Sequence, residues 1–327
     1  MATMKDISKI TGLSSGTISR YINNNGYVSK ESAKKIQSAI DELNYIPNEH
    51  ARVLYSKSTK VIGLIVPSLV NPFFAQMATV LESILNKNGY SIILYNTNDD
   101  MDEEINALKM LQGFRVDGII TGRSQNKELL KKLNIPVVSF ESEIGDNVVN
   151  ITANNFLGGE IAFKTLYERG CRNLLHIRGP KIFEATEKRY EGFISQAKNY
   201  SDASVDVISI SEDYSTDFNI DKILDDINLK KYDGIFVFND IAAASTMSYI
   251  LKKGFKVPED IQILGFDNSY IAELLNPKLS SVEQPVKEIA KECVKVLLKL
   301  INKEEVKKKT IRIKTNVVLR ESTINLD

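Results

Sequence analysis

Chemistry-bearing residues are unevenly supplied in this chain. It has two histidines, His50 and His176, and two cysteines, Cys171 and Cys293, which lie in unrelated segments with no CxxC spacing. That leaves little material for a metal site, a disulfide framework or histidine-based proton transfer, and buried thiols are the plainer reading of the cysteines. HExxH, GxGxxG and GxxxxGK are missing, so neither a zinc hydrolase nor a phosphate-binding loop is indicated. The pairs Asp99-Asp100 and Asp225-Asp226 read as solvated. No catalytic residue, metal or cofactor is expected. A different set is plentiful: amides, carboxylates, a guanidinium and aromatics at the ends of short apolar runs. Asn71-Pro72-Phe73-Phe74 follows VIGLIV, Thr121 and Arg123 close VDGIIT, Phe140 and Glu141 close PVVSF, Asn239-Asp240 ends IFVF, and Asp267 ends ILGF. Such groups suit a polyol, because each hydroxyl needs a donor and an acceptor in fixed directions, and Phe73 or Phe74 can stack on a sugar ring. For each carboxylate the plainer role is a helix N-cap or an ion pair, and Asp240 heads a helix. Arg123 adds a charge that admits an anionic ligand.

A second set lies in the first sixty residues. Met4, Ile7 and Ile10 mark a short helix ending at Thr11-Gly12, and Ser14 is a favoured N-cap for a second. Leu13, Ile18 and Ile22 can pack back on the first helix while Ser15, Gly16, Ser19 and Arg20 face outward. Two short helices about a glycine turn is the helix-turn-helix pattern, whose second helix enters the major groove of DNA. Arg20 is the obvious base reader, because a guanidinium bonds guanine bidentately. A third helix, Lys30 to Leu43, completes this head. Residues 1 to 60 carry nine Lys/Arg against five acids, a net of +4, so the rest stands at −4; a basic head on an acidic body fits this division of labour.

MKDISKITGLSSGTISRYINNNGYVSKESAKKIQSAIDELNYIPNEHARVL resembles, without a gap, the head of LacI/GalR-family regulators, including the TxSR core and the YxPNxxARxL hinge. The resemblance implies that Ser14 and Thr17 contact phosphate, that Ser15, Gly16 and Arg20 face bases, and that Asn23 steadies the helix end on the backbone. Ser15 and Gly16 are smaller than the family's usual reading residues, so direct readout would lean on Arg20. Gly16 costs ~1 kcal/mol of helix propensity relative to Ala, repaid by close approach to DNA or simply tolerated. Pro47 stops the third helix, and the segment from Asn48 to Tyr55 is too short to be a stable helix alone. By the resemblance it folds on the minor groove, with Leu54 wedged between base pairs and Ala51 letting two copies pack; Asn48 joins them as a DNA-binding residue. The plainer reading is a polar linker. Two wedges imply a homodimer on a pseudo-palindromic operator.

From Lys60 the pattern becomes strand, helix, strand: VIGLIV, SIILYN, VDGIIT, PVVSF, then NLLHI, VDVISI, YDGIFVF and IQILGF. Repeated so often, it predicts doubly wound parallel sheets in two similar lobes. The expected fold class is a small all-α helix-turn-helix head plus an α/β two-lobed core like the periplasmic binding proteins. Its expected parts are the head, 1–46, a hinge, 47–59, and two lobes that meet at Thr152-Ala153; the resemblance implies that the chain returns to the first lobe near Gln284 and crosses again near Val317, giving a first lobe of 60–152 plus 284–316 and a second of 153–283 plus 317–327. Ligand would lie between the lobes at the strand ends. The resemblance implies that Arg189, in KRYEGF, is the effector-clamping arginine of the family's RxxGF, and that Asn239, Asp240 and Asp267 hold ligand hydroxyls. GLIVPSLVNPFF and VSFES look most like sucrose-responsive members, although Glu141-Ser142 stands where many members carry Asp-Arg.

Length bounds the rest. The chain has 327 residues, 43% hydrophobic and 26% charged, and no apolar run long enough for a membrane span. MATMKDISKI lacks the apolar stretch of a signal peptide. A cytoplasmic regulator without membrane contact is therefore expected, and a stand-alone solute-binding protein or an enzyme is disfavoured. With no heptad tail before Asp327, a tetramer is not expected. Two readings stay open: a repressor of a carbohydrate-utilisation operon released by a sugar effector, and a catabolite-type global regulator with a phosphoprotein corepressor.

Overall fold

The computed structural model describes residues 2–23, 25–45, 58–145, 148–210 and 220–325. The chain divides into two compact units, Met1–Thr59 and Lys60–Asp327. Asn48, Ala51 and Leu54 lie outside the described residues.

Among its described residues, the first unit has three helices around one apolar centre. α1 spans Met4–Thr11, α2 Ser15–Ile22 and α3 Lys30–Leu43. Ile7, Ile18, Ile36 and Ala39, one or two from each helix, are fully buried, and Leu13 and Ile22 pack against them. Ile10 points outward. The turn between α1 and α2 forms because Gly12 takes φ 69°, a left-handed value that only glycine adopts at no cost, so that its N–H reaches the Ser8 carbonyl. Gly12-Leu13-Ser14-Ser15-Gly16 formally spells the GxSxG string of nucleophile elbows. The serine serves the helix instead, since Ser14 Oγ accepts the Thr17 N–H at 3.2 Å and caps α2.

The second unit contains two six-stranded sheets of identical winding. The first has the order β11-β5-β4-β3-β1-β2, from β1 (Val61–Val66), β2 (Ser91–Asn96), β3 (Gly118–Thr121), β4 (Val137–Ser139), β5 (Val149–Ala153) and β11 (Thr310–Ile313). The second has the order β12-β10-β9-β8-β6-β7, from β6 (Asn173–Arg178), β7 (Ser204–Ser209), β8 (Gly234–Val237), β9 (Gln262–Asp267), β10 (Ser280–Glu283) and β12 (Asn316–Val318). Among the described residues all pairings are parallel except β10 with β12. Helices cover both faces of each sheet. Residues of Pro72–Lys87 and Val286–Ile301 form one apolar cluster on the first sheet, and Ala107, Leu108 and Leu111 centre another. On the second sheet, Asp240–Lys252 lies in one cluster, and Asn155–Glu168 with Glu184–Ala197 in the other. This double cover is why inner strands such as β1, β3 and β8 are apolar along their length while the edge strands β2 and β7 alternate with exposed positions.

Eight strands occupy the eight apolar runs of the sequence, and the two-lobed α/β class is as expected. The chain passes between sheets at Asn154, at Gln284-Pro285 and at Lys314-Thr315. These passages are bonded together: Asn154 N–H donates to the Ile313 carbonyl at 2.8 Å, and Thr315 Oγ1 donates to the Glu283 carbonyl.

Candidate functional site

Two regions gather the residues singled out above. On the head, Ser14, Ser15, Gly16, Arg20 and Asn23 are exposed and Thr17 is half-buried. Ser14 and Thr17 share a hydroxyl–hydroxyl bond at 3.0 Å, and Asn23 Nδ2 donates to the Ser19 carbonyl at 2.9 Å, closing the end of α2. Tyr21 OH donates to Gln37 Oε1 at 2.9 Å, tying α2 to α3. A β-carbon at Gly16 would meet nothing closer than Ser14 Oγ at 3.8 Å. The head's own packing therefore does not require glycine there.

The second region lies between the sheets, at the C-terminal ends of their strands. Asn71 caps the helix Pro72–Lys87, accepting the Phe73 N–H at 3.0 Å. Phe73 and Phe74 meet at 5.1 Å and 71°, and both approach Phe140, so all three rings belong to the apolar core of the first lobe. Thr121, ending β3, is buried with no partner for its hydroxyl among the described residues. Glu141 sits at φ 72°. Across the cleft, Arg189 is almost fully buried. Its Nε donates to Asn155 Oδ1 at 2.9 Å and one terminal nitrogen to the Phe238 carbonyl at 2.7 Å. That nitrogen is 3.6 Å from Asp267, the other is 3.8 Å from Glu141, and the guanidinium lies 3.8 Å from the Phe266 ring centroid. Burial pushes the Asp267 carboxyl up, and the Arg189 charge offsets part of that rise.

Arg189 is placed by glycine. The helices Asn155–Glu168 and Glu184–Ala197 cross so closely that a β-carbon at Gly159 would lie 2.0 Å from the Arg189 carbonyl, and one at Gly192 would lie 2.0 Å from that of Phe156. The glycine three residues after the arginine in KRYEGF is therefore a packing requirement of the helix that carries it.

Two expectations need correction. Asp240 does not offer its carboxylate to the cleft: Oδ2 accepts the Ser269 N–H at 2.7 Å and Oδ1 the Ser281 hydroxyl at 2.6 Å. It stitches the loop after β9 to β10, and burial raises its pKa to about 6. The helix cap is its neighbour Asn239, which accepts the Ala242 N–H at 2.8 Å. Arg123 does not present an open charge to an anion, because its Nε and a terminal nitrogen grip both oxygens of Asp99. Three residues that strand ends did not single out also belong to the site. Gln284, on a passage between sheets, donates to Asp267 at 2.9 Å and leaves its carbonyl oxygen buried without a partner among the described residues. Asn155 links Arg189 to Thr152 and Ala153 on another passage. Phe266 underlies the guanidinium. A small cavity, partly open to solvent, adjoins this cluster and is lined by Glu141, Asn150, Thr152, Asn155, Ala185 and Lys188 among others.

Residues 3–48 match the model of bacterial regulatory proteins of the lacI family, and residues 163–323 match that of the periplasmic binding protein-like domain. The ribose operon repressor of Halalkalibacterium halodurans is 36% identical over 99% of this chain and 97% of its own. The chain belongs to the LacI family. This LacI-family protein is a DNA-binding regulator and not an enzyme. It is also 34% identical to the sucrose operon repressor of Streptococcus mutans, over 94% of this chain and 95% of that one. A periplasmic binding protein/LacI transcriptional regulator of Alkaliphilus metalliredigens, solved with D-xylulofuranose, is 45% identical with a TM-score of 0.75, covering 81% of this chain and all of that one.

Proposed function

We propose that this regulator represses a carbohydrate-utilisation operon and leaves its operator when a neutral sugar enters the cleft. The arrangement that carries the reading is Arg189 held between Asp267 and Glu141, with Gln284 Oε1 and Thr121 Oγ1 buried and unpartnered at strand ends of the site. Sugar hydroxyls both donate and accept, so they suit such a mixture. An anionic sugar phosphate is disfavoured, because each cleft guanidinium already faces a carboxylate. Arg189, Asp267, Gln284, Glu141 and Thr121 are assigned to the effector, and Asn71 and Asn239 hold the helix ends beside it. The names of the ribose repressor and the D-xylulofuranose complex favour a five-carbon sugar; the S. mutans relative keeps sucrose as the second reading.

On the head, Ser14 and Thr17 are assigned to phosphates, Ser15, Gly16 and Arg20 to bases, and Asn23 to the backbone. Asn48, Ala51 and Leu54 form the hinge contacts of a homodimer on a pseudo-palindromic site in the cytoplasm. The working parts are taken as the head, 1–46, the hinge, 47–59, and two lobes whose expected boundaries at 152/153 and 316/317 move to the passages at Asn154 and Lys314-Thr315, because Ala153 pairs with Ile313 in the first sheet and Asn316 with Glu283 in the second. A thermal-shift series with D-ribose, D-xylulose, D-fructose, sucrose and ribose 5-phosphate tests the effector. A sugar at 100 times its Kd adds ~2.7 kcal/mol of stability, and the active one should then release operator DNA in a gel-shift assay. A response to the phosphate alone would overturn the neutral-sugar reading. Silence from every sugar would favour the phosphoprotein-corepressor regulator.

A further inference from the structure

The contact between lobes is not confined to Arg189. Phe183 and Glu184, at the start of the helix Glu184–Ala197 that carries Arg189, are held from the other lobe at two points. The Arg123 guanidinium carbon lies 3.5 Å from the centroid of the Phe183 ring and 5.9 Å from that of Phe74. It is held side-on by both oxygens of Asp99, whose N–H in turn donates to the Pro67 carbonyl at 3.0 Å and whose carbonyl accepts from Gln125 Nε2 at 2.6 Å. One residue on, the Glu184 carboxylate accepts the Glu143 N–H at 3.2 Å and lies 3.6 Å from Lys127 Nζ.

We propose that Arg123 and Phe183, supported by Asp99 and Glu184, form a clasp between the lobes that positions the Arg189 helix before any effector is present. Arg123 is then a positioning residue and not an effector ligand. Its Nε/Nη2 edge is committed to Asp99, and one face is stacked on Phe183. A planar cation fixed at its edge by a carboxylate stacks without losing further rotamer freedom, and the contact is stronger where water is excluded. Both Arg123 and Asp99 are mostly buried, at 16% and 17% side-chain exposure, and Phe183 at 6%. The clasp biases the closed arrangement of the lobes, and an effector that binds that arrangement benefits by the same factor. This last consequence rests on the sugar reading; the clasp itself does not.

The test is hydrogen–deuterium exchange on the full-length, effector-free protein, comparing wild type with Phe183→Leu, Phe183→Tyr and Arg123→Lys. Leu keeps apolar bulk but has no ring face, Tyr restores the face, and Lys keeps a charge for Asp99 but not the plane. Segments 141–145 and 183–188 should exchange faster in Phe183→Leu and Arg123→Lys and return to the wild-type rate in Phe183→Tyr. The helix Val286–Ile301 should be unchanged in all three variants and so exclude general loosening. Titration with D-ribose and D-xylulose should show affinity about 5- to 30-fold weaker in Phe183→Leu, the range of a partly desolvated cation–π contact. Unchanged exchange in Phe183→Leu, or equal acceleration in Phe183→Leu and Phe183→Tyr, would overturn the clasp. Faster exchange with unaltered sugar affinity would overturn its role in positioning Arg189. If no sugar binds wild type, the sugar reading fails and exchange still decides the clasp.

Discussion

Arg189 carries the strongest single-residue expectation. Its charge faces two carboxylates from different lobes, and removing one member of a buried, hydrogen-bonded charge set typically costs about 2–5 kcal/mol or more, much of it from the partner left behind. Arg189→Ala should therefore abolish sugar binding in calorimetry while operator affinity in the absence of sugar stays near wild type. A normal sugar response would remove Arg189 from the site. Gly16 offers the complementary case on the head. Because nothing crowds a β-carbon there, Gly16→Ala should stabilise the head by up to ~1 kcal/mol in denaturant unfolding. If close approach to DNA is what the glycine is for, the same change should weaken operator binding in a gel-shift titration; equal or tighter binding would mean that the residue is merely tolerated.

Among the elements, the crossing of Asn155–Glu168 with Glu184–Ala197 sets where Arg189 can stand. Both backbones touch at Gly159 and Gly192, so Gly192→Ala forces the helices apart, an overpacking cost of about 1–3 kcal/mol. Thermal unfolding should show that loss, and sugar affinity should fall with it because Arg189 moves off Asp267. Retained sugar affinity at reduced stability would show that the clamp tolerates the shift. The proposed hinge, 47–59, calls for the other test. Leu54→Ala should weaken operator binding and leave sugar binding intact, and equal loss of both would contradict its assignment to the minor groove.

At the scale of the molecule, the proposed function is a coupling between a head and a core that form two compact units. A ~100-fold change in operator affinity requires ~2.7 kcal/mol of difference in effector affinity between the two arrangements of the lobes. Stability has its own pH signature. His176 is enclosed by Phe236, Phe193 and Tyr190, and burial lowers its pKa to about 3. The unfolded imidazole titrates near 6.5, so the unfolded chain takes up a proton that the folded one refuses, and stability falls as pH drops from about 6.5 toward 3 by up to ~1.4 kcal/mol per pH unit. Asp240 acts with the opposite sign: its raised folded pKa, about 6, gives stability that is present at low pH and lost as pH rises through that value. The stability difference between wild type and His176→Phe isolates the imidazole. It should be constant above about pH 7 and shift in favour of the variant below about pH 6, and a flat difference down to about pH 4 would show that His176 is not held neutral by burial.

How much of this was legible in advance depends on the range of the interaction. Gly12, the Ser14 cap and the helical apolar spacing of the head are local, and the eight apolar runs of the core are long enough to declare a sheet covered on both faces, so the two kinds of fold could be read from residue order. The residues at strand ends followed, since a parallel sheet puts its ligand there. Which of those residues face the cleft was decided elsewhere. Asp240 is taken by Ser269 and Ser281, 29 and 41 residues further along the chain. Arg123 is taken by Asp99, 24 residues before it, and by Phe183 from the other lobe. Gln284 and Asn155 enter the site only because the chain passes between lobes beside it. Residue order determined the elements and the ends at which chemistry could occur. Tertiary packing alone decided which polar groups were already satisfied, because a hydrogen-bonding group turns to whatever partner the folded chain brings nearest, and that partner is set by contacts between distant segments.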